Sequence, residues 1–277
     1  MELGVFSRTY PLTGTDELFA HIARDGFQAV QFNFSSAGLA SLPVDLPPEI
    51  LDGVRAGASR HGLTLCALSG TYNMAHPDAR KRHADRIGFA NVVRAASYLR
   101  VSLVTLCTGT RDRSDMWAAH PDNTSGEAWS TLREELDFAL ELADREGVVL
   151  GVEPEPGNVA RDAKSARRLL DEVGSSRLKI VLDAANLLPP DEQRRQREVF
   201  EEAVTLLGEH LALVHTKDVG PAGEPVAAGK GVVDFRTFLA TILSTSYRGP
   251  MVSHNFPAKE APAVSNYLKH LLAELQP

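Results

Sequence analysis

Eight short apolar runs, each followed by an amphipathic stretch with helical spacing, fill this chain from one end to the other. A short run with no polar alternation reads as a strand buried on both faces, the mark of a parallel sheet covered by helices. The strand candidates are Leu3–Phe6, Ala29–Phe34, Leu63–Leu68, Leu103–Cys107, Val148–Val152, Leu178–Leu182, Leu211–His215 and Pro250–Ser253. Helices are expected over about 15–25, 48–61, 78–100, 126–146, 162–173, 191–208, 234–245 and 260–274. In the third of these Phe89, Val92, Val93, Ala96 and Leu99 form one stripe, and in the fourth Leu132, Leu136, Ala139, Leu140 and Ala143 do the same. Asp234 is placed to cap the seventh. Eight βα units are what a closed ring of parallel strands requires, so the expectation is a single (β/α)8 TIM barrel, one domain spanning 1–277. An open doubly wound sheet shares the alternation. It would carry a Gly-rich phosphate loop after its first strand, and Gly4 and Gly14 make no such motif.

Composition narrows the function class. A length of 277 residues matches the roughly 250 typical of this barrel. The formal net charge of −7 and a pI near 5.7 argue against nucleic acid as the main partner. The two basic clusters, Arg80-Lys81-Arg82 and Arg194-Arg195-Gln196-Arg197, read as solvated helix faces. No apolar stretch approaches the ~18 residues that span a bilayer, so no membrane partner is expected. Met1 to Tyr10 shows no cationic region leading into an apolar run, so a secretory signal is not expected. Cys66 and Cys107 make no disulfide framework and read as buried, inert thiols, which suits a reduced cytoplasmic setting.

The chemistry is concentrated at the ends of the last four strands. The fifth ends Gly151-Val152-Glu153-Pro154-Glu155, the sixth Val181-Leu182-Asp183-Ala184-Ala185-Asn186, the seventh Leu213-Val214-His215-Thr216-Lys217-Asp218, and the eighth Met251-Val252-Ser253-His254. Strand C-terminal ends converge at the mouth of a barrel, where barrel enzymes keep their active sites. A lone strand-end Asp is ordinarily a helix cap and a lone His a hydrogen-bonded polar residue. Four such residues on four successive strands point instead to one divalent metal held by Glu153, Asp183, His215 and His254, an O/N set suited to Mn, Zn, Co or Mg. A purely hydrogen-bonded network would leave clustered carboxylates repelling one another without a cation.

These segments resemble the sugar phosphate isomerase/epimerase family, the xylose isomerase-like TIM barrels that also include endonuclease IV. The resemblance rests on Gly151-Val-Glu-Pro-Glu-Pro-Gly-Asn158, Ile180-Val-Leu-Asp-Ala-Ala-Asn186, Leu213-Val-His-Thr-Lys-Asp218 and Gly229-Lys-Gly-Val-Val-Asp-Phe235. The loops Gly70-Thr-Tyr-Asn-Met-Ala-His-Pro-Asp78 and Met116-Trp-Ala-Ala-His-Pro-Asp-Asn123 add to it. It implies a metal held by Glu, Asp, His and Glu from strands five to eight, which assigns Glu153, Asp183 and His215 directly. At the fourth position Gly249-Pro-Met-Val-Ser-His254 places His254 where the family has Glu, which puts two-carboxylate proton transfer in question. Asn186 stands where nuclease-like and many sugar-specific members have His, and the other His ligands of a trinuclear zinc site are missing, so the DNA-repair reading falls away. The resemblance also implies a homo-oligomer, a dimer or tetramer.

The leading expectation is therefore a metal-dependent isomerase or epimerase of a small sugar or other polyhydroxy carbonyl compound. It would work by α-proton abstraction and a metal-stabilised enediolate. Glu153 or another group of the site is the candidate base, and Lys217 the candidate cation for a developing oxyanion unless a salt bridge to Asp218 or another neighbour claims it. Glu155 and Asn186 are candidate substrate contacts; Glu155 is alternatively a residue that shapes its Pro-rich loop. His76 and His120, each before a proline on a loop at the mouth, are candidate substrate contacts as well. Tyr72 and Trp117 either stack on a sugar face or pack in the core. Two other readings stay open: a lyase or dehydratase acting on a keto-sugar or keto-polyol, and a non-catalytic sugar-binding barrel.

Overall fold

The computed structural model describes residues 1–188 and 193–276. Its strands are β1 (Leu3–Phe6), β2 (Ala29–Phe32), β3 (Thr64–Ser69), β4 (Leu103–Cys107), β5 (Val149–Glu153), β6 (Leu178–Asp183), β7 (Leu211–His215) and β8 (Met251–Ser253). Between and after them run α1 (Thr15–Arg24), α2 (Pro48–Arg60), α3 (Ala79–Leu99), α4 (Gly126–Glu146), α5 (Ala163–Val173), α6 (Gln196–Leu207), α7 (Phe235–Leu243) and α8 (Ala261–Leu275). The strands pair in parallel, and β8 closes on β1 through Leu3↔Met251, Gly4↔Val252 and Val5↔Ser253. With no free edge left, the sheet is a (β/α)8 barrel, as the eight-fold alternation predicts.

The departures are local and have local causes. β2 stops at Phe32 because Asn33 accepts the Ser35 N–H and starts a 3-10 turn over Phe34–Ala37. The sixth helix is expected from 191, which lies outside the described residues, and α6 begins at Gln196. A two-stranded antiparallel ribbon, Asp218–Val219 with Pro225–Val226, follows β7, and the apolar pattern of the sequence does not announce it. Helix ends follow ordinary capping chemistry. Asp162 accepts the Ser165 N–H while the Ser165 hydroxyl accepts the Asp162 N–H, a reciprocal pair that starts α5.

Two apolar layers hold the barrel. The larger lies between strands and helices and takes in the Phe89, Val92, Val93, Ala96 and Leu99 stripe of α3. A smaller cluster drawn from strands alone, Ala67, Leu103, Val181, Leu213 and Val252, fills the interior. Because side chains alternate along a strand, Leu103, Thr105 and Cys107 share the inward face of β4, and the residues nearest the C-terminal end stand at the mouth. Cys107 is buried and Cys66 partly so, and burial pushes both thiols up, Cys66 to about 12, which leaves them unreactive at neutral pH. Among the described residues no helix is long and apolar enough to cross a membrane.

One basic residue leaves the solvated face assigned to it. Arg80 and Lys81 are exposed, but Arg82 turns inward and donates Nε–H to Glu135 Oε1 at 2.8 Å. Glu135, 1% exposed on α4, also accepts from Arg86 at 2.9 Å and from the Tyr72 hydroxyl at 2.9 Å. Arg82 Nη1 reaches the His76 carbonyl at 2.6 Å, so the network clamps α3, α4 and the β3–α3 loop together. Glu135→Ala removes the buried acceptor of two part-exposed guanidinium groups and of the Tyr72 hydroxyl at once and is expected to cost about 2–3 kcal/mol of stability. Urea unfolding of the variant checks this; a loss below about 1 kcal/mol would show that the pairs are solvated.

Candidate metal centre

β5, β6, β7 and β8 end side by side, and each delivers one polar side chain to the mouth. Cys107↔Glu153 and Asp183↔His215 are in register between neighbouring strands, so these ends are level. Glu153, Asp183, His215 and His254 each offer one donor atom, and the four atoms all lie within 4.8 Å of one another. His215 Nδ1 is 3.1 Å from Glu153 Oε1 and 3.9 Å from Asp183 Oδ2, and His254 Nε2 is 2.9 Å from Asp183 Oδ2. The two imidazole rings sit 4.6 Å apart, and Phe6 meets His254 edge-on. Asp183 is held in turn by the Ala185 N–H, which donates to Oδ1 at 2.8 Å.

The electrostatics suit a cation. Burial pushes the Asp183 carboxyl up, but Lys217, His254 and His215 outweigh it and hold Asp183 well below the usual carboxylate range. Burial pushes His254 down, leaving a neutral imidazole ready to ligate. Burial acts the same way on His215, but the Glu153 and Asp183 charges prevail and raise it. Two carboxylate oxygens and two ring nitrogens facing a common point form a mixed O/N set that fits one divalent ion.

The residues beside this cluster form a chain of their own. Asn186 donates Nδ2–H to Glu153 Oε1 at 3.0 Å, and its Oδ1 accepts from Lys217 Nζ. Glu155, half-buried two residues beyond Glu153, is pushed up to about 7 by burial and then by the Glu153 charge, with Lys217 opposing. The alternative salt bridge between Lys217 and Asp218 does not form. Asp218 is buried and accepts four backbone N–H groups, from Val219, Gly229, Gly231 and Val233, so its carboxylate shapes the β7–α7 loop. Lys217 is left to face Asn186, Glu155 and Asp183, and the carboxylate charges raise its pKa against the pull of burial.

The loops expected at the mouth are pinned by three asparagines. Asn73 Oδ1 accepts the Thr110 N–H at 2.8 Å, Asn158 Oδ1 accepts the Gly109 N–H at 2.8 Å, and Asn123 Oδ1 accepts the Arg111 N–H at 2.7 Å. Gly109 adopts φ +71°, and a Cβ there would strike Asn73, so the close approach of these loops needs glycine. His76 is buried: Nδ1 accepts the Asp78 N–H and Nε2 donates to the Arg113 carbonyl. The first contact closes a local turn and the second ties this loop to the one after β4, so both ring nitrogens are engaged. Tyr72 is closed off in the core against Phe89 and Glu135, while Trp117 is 51% exposed. His120 starts the 3-10 turn Pro121–Thr124, its Nδ1 accepting the Asp122 N–H at 3.2 Å. His120→Asn keeps an acceptor for that N–H while removing the ring. If the ring meets substrate, kcat/KM falls about tenfold or more with Tm unchanged; unchanged kinetics would make His120 a capping residue alone.

Sequence reasoning missed Gln31 and Thr105. Gln31 Oε1 accepts Nε2–H of His215 at 2.7 Å, and its own Nε2–H donates to Thr105 Oγ1 at 3.1 Å. The available signal was an amide inside an apolar strand, Ala29-Val30-Gln31-Phe32, since a polar group buried there needs partners.

Fold and site together define a parallel barrel with a candidate metal centre at its C-terminal mouth. The chain belongs to the xylose isomerase-like TIM barrel family, whose sequence profile matches residues 19–272. Among solved structures it resembles 3-keto-D-glucoside 4-epimerase from E. coli, with a TM-score of 0.77 at 17% identity over 98% of this chain and 99% of that one. D-psicose 3-epimerase from Clostridium cellulolyticum, crystallised with D-tagatose, gives 0.74 at 15% identity over 98% and 99%. The IolI protein, solved with a bound zinc atom, gives 0.72 at 16% identity over 99% and 98%. At these identities the likeness is one of fold. A search of curated proteins finds no match.

Proposed function

We propose that this chain is a divalent-metal-dependent isomerase or epimerase acting on a small sugar or related polyhydroxy carbonyl compound by removal of the proton α to the carbonyl. The observation that carries this reading is the convergence of Glu153, Asp183, His215 and His254 at the barrel mouth, with Asn186 and Lys217 hydrogen-bonded beside them. One divalent ion on the four donors, Mn, Zn, Co or Mg, would supply Lewis-acid charge beside a carbonyl and a neighbouring hydroxyl and so acidify the α C–H. Glu153 takes the proton. Asn186 Nδ2–H on Oε1 fixes the rotation of that carboxylate and leaves its other oxygen to receive it. Lys217, oriented by Asn186 Oδ1, places an ammonium where negative charge grows on substrate oxygen. The named sugar epimerases of the same fold support the sugar part of the reading.

A lyase or dehydratase acting on a keto-sugar begins with the same step. It is favoured by one feature, the presence of two further proton-bearing groups, Lys217 and Glu155, on the Glu153 side of the site, since either can protonate a departing β oxygen. Metal analysis of the purified protein, followed by α-proton exchange in D₂O with a panel of keto-sugars, tests the proposal. Exchange with sugar interconversion is the expected result, and exchange with loss of water or alcohol shifts the assignment to a lyase. Tight sugar binding without exchange would reduce the protein to a binding barrel.

A further inference from the structure

Gln31 is 4% exposed in the middle of β2, and its side chain crosses the barrel to reach β7, from which β2 is separated by β1 and β8. An amide carried into an apolar interior costs free energy unless both its ends are satisfied. Here both are: Oε1 takes the His215 Nε2–H at 2.7 Å, and Nε2–H goes to the Thr105 hydroxyl at 3.1 Å. The arrangement runs in one line, from Thr105 on β4 through Gln31 to His215, whose opposite nitrogen Nδ1 faces Glu153 and Asp183. An imidazole ligates through an unprotonated nitrogen, so the proton must sit on the other one, and an acceptor placed there selects both the tautomer and the ring's rotation.

We propose that Gln31 is the positioning residue of the metal centre: it holds His215 with Nδ1 presented to the ion, and Thr105 holds Gln31. The inference rests on the reading of Glu153, Asp183, His215 and His254 as a metal site and adds to it a residue from the far wall of the barrel. A neutral amide does this work where a carboxylate is the commoner partner of a ligating histidine. Being neutral, Gln31 adds no charge to those of Glu153 and Asp183.

The test is Co²⁺ affinity, read by chelator competition and by the visible absorption of the bound ion. Gln31→Met keeps the length of the side chain but offers Nε2–H only a weak thioether acceptor and Thr105 no donor, and it should weaken Co²⁺ binding about 10–100-fold. Gln31→Glu restores an acceptor and should bind Co²⁺ at least as tightly as the parent, a rescue that mere space-filling at this position does not predict. Thr105→Val, which leaves His215 its partner but frees the amide, should weaken binding several-fold (roughly threefold or more) and decides the matter should Gln31→Met fail to fold. Parent-like affinity in Gln31→Met, or in Thr105→Val where the former does not fold, overturns the role of Gln31 while leaving the metal centre standing. Failure of the unmutated protein to take up Co²⁺ overturns the centre itself, and the role of Gln31 with it.

Discussion

Glu153→Gln is expected to lower α-proton exchange by about 10²–10⁴-fold, the usual contribution of a positioned general base, even when metal is supplied in excess. The substitution keeps the volume and an oxygen for the Asn186 N–H, so the local hydrogen bonding survives. What it removes is the charge. A carboxylate is ionised at neutral pH and ready to accept a proton, and an amide is not. Removing a negative ligand also weakens metal binding, which is why occupancy has to be restored before exchange is read. Two measurements separate the effects: metal content by titration, and deuterium uptake at the α carbon of a keto-sugar at saturating metal. Full exchange in the loaded variant would take the base role from Glu153 and pass it to another group, Glu155 being the first to examine.

The fold was legible because a closed parallel barrel imposes the same demand eight times. Each strand is covered on both faces, so it appears as a short apolar run, and each helix shows one buried stripe, as at Phe89, Val92, Val93, Ala96 and Leu99. The candidate site was legible for a related reason. Where an apolar run is broken by Glu153, Asp183 or His215 at its last position, the polar residue marks the strand end, and strand ends converge. Contacts across the barrel leave no such trace. Gln31 and His215 are 184 positions apart, and nothing in the spacing of either announces the other. The fate of the Lys217-Asp218 pair was also hidden, because the partners of Asp218 are backbone N–H groups of the loop around Gly229 and Gly231, which composition does not encode. Arg82 looked solvated beside Arg80 and Lys81 because its partner Glu135 lies on a different helix.

On the proposed function, His254 limits the routes by which the proton can move. A symmetric epimerase takes a proton from one face of its substrate with one carboxylate and returns it to the other face with a second. In this chain the position where the family resemblance expects that second carboxylate carries an imidazole, and its Nε2 points inward, 2.9 Å from Asp183 Oδ2. A ring nitrogen given to a metal has no lone pair left for a substrate proton, and burial has already pushed His254 toward its neutral form. Epimerisation through paired glutamates is therefore not the expected route; a one-base path through Glu153, or elimination helped by Lys217 or His120, takes its place. His254→Ala should weaken metal binding by about 100-fold or more, at or beyond the upper end of what losing a mere supporting residue costs. With the ion restored by excess metal, it should leave exchange at the Glu153 face largely intact. His254→Glu, which returns the family's carboxylate, should recover the affinity. The decisive comparison is stereochemical: deuterium incorporation at each face of the substrate, measured at full metal occupancy. Should His254→Ala keep its metal and lose exchange at one face alone, His254 is a base and not a ligand, and the one-base route fails.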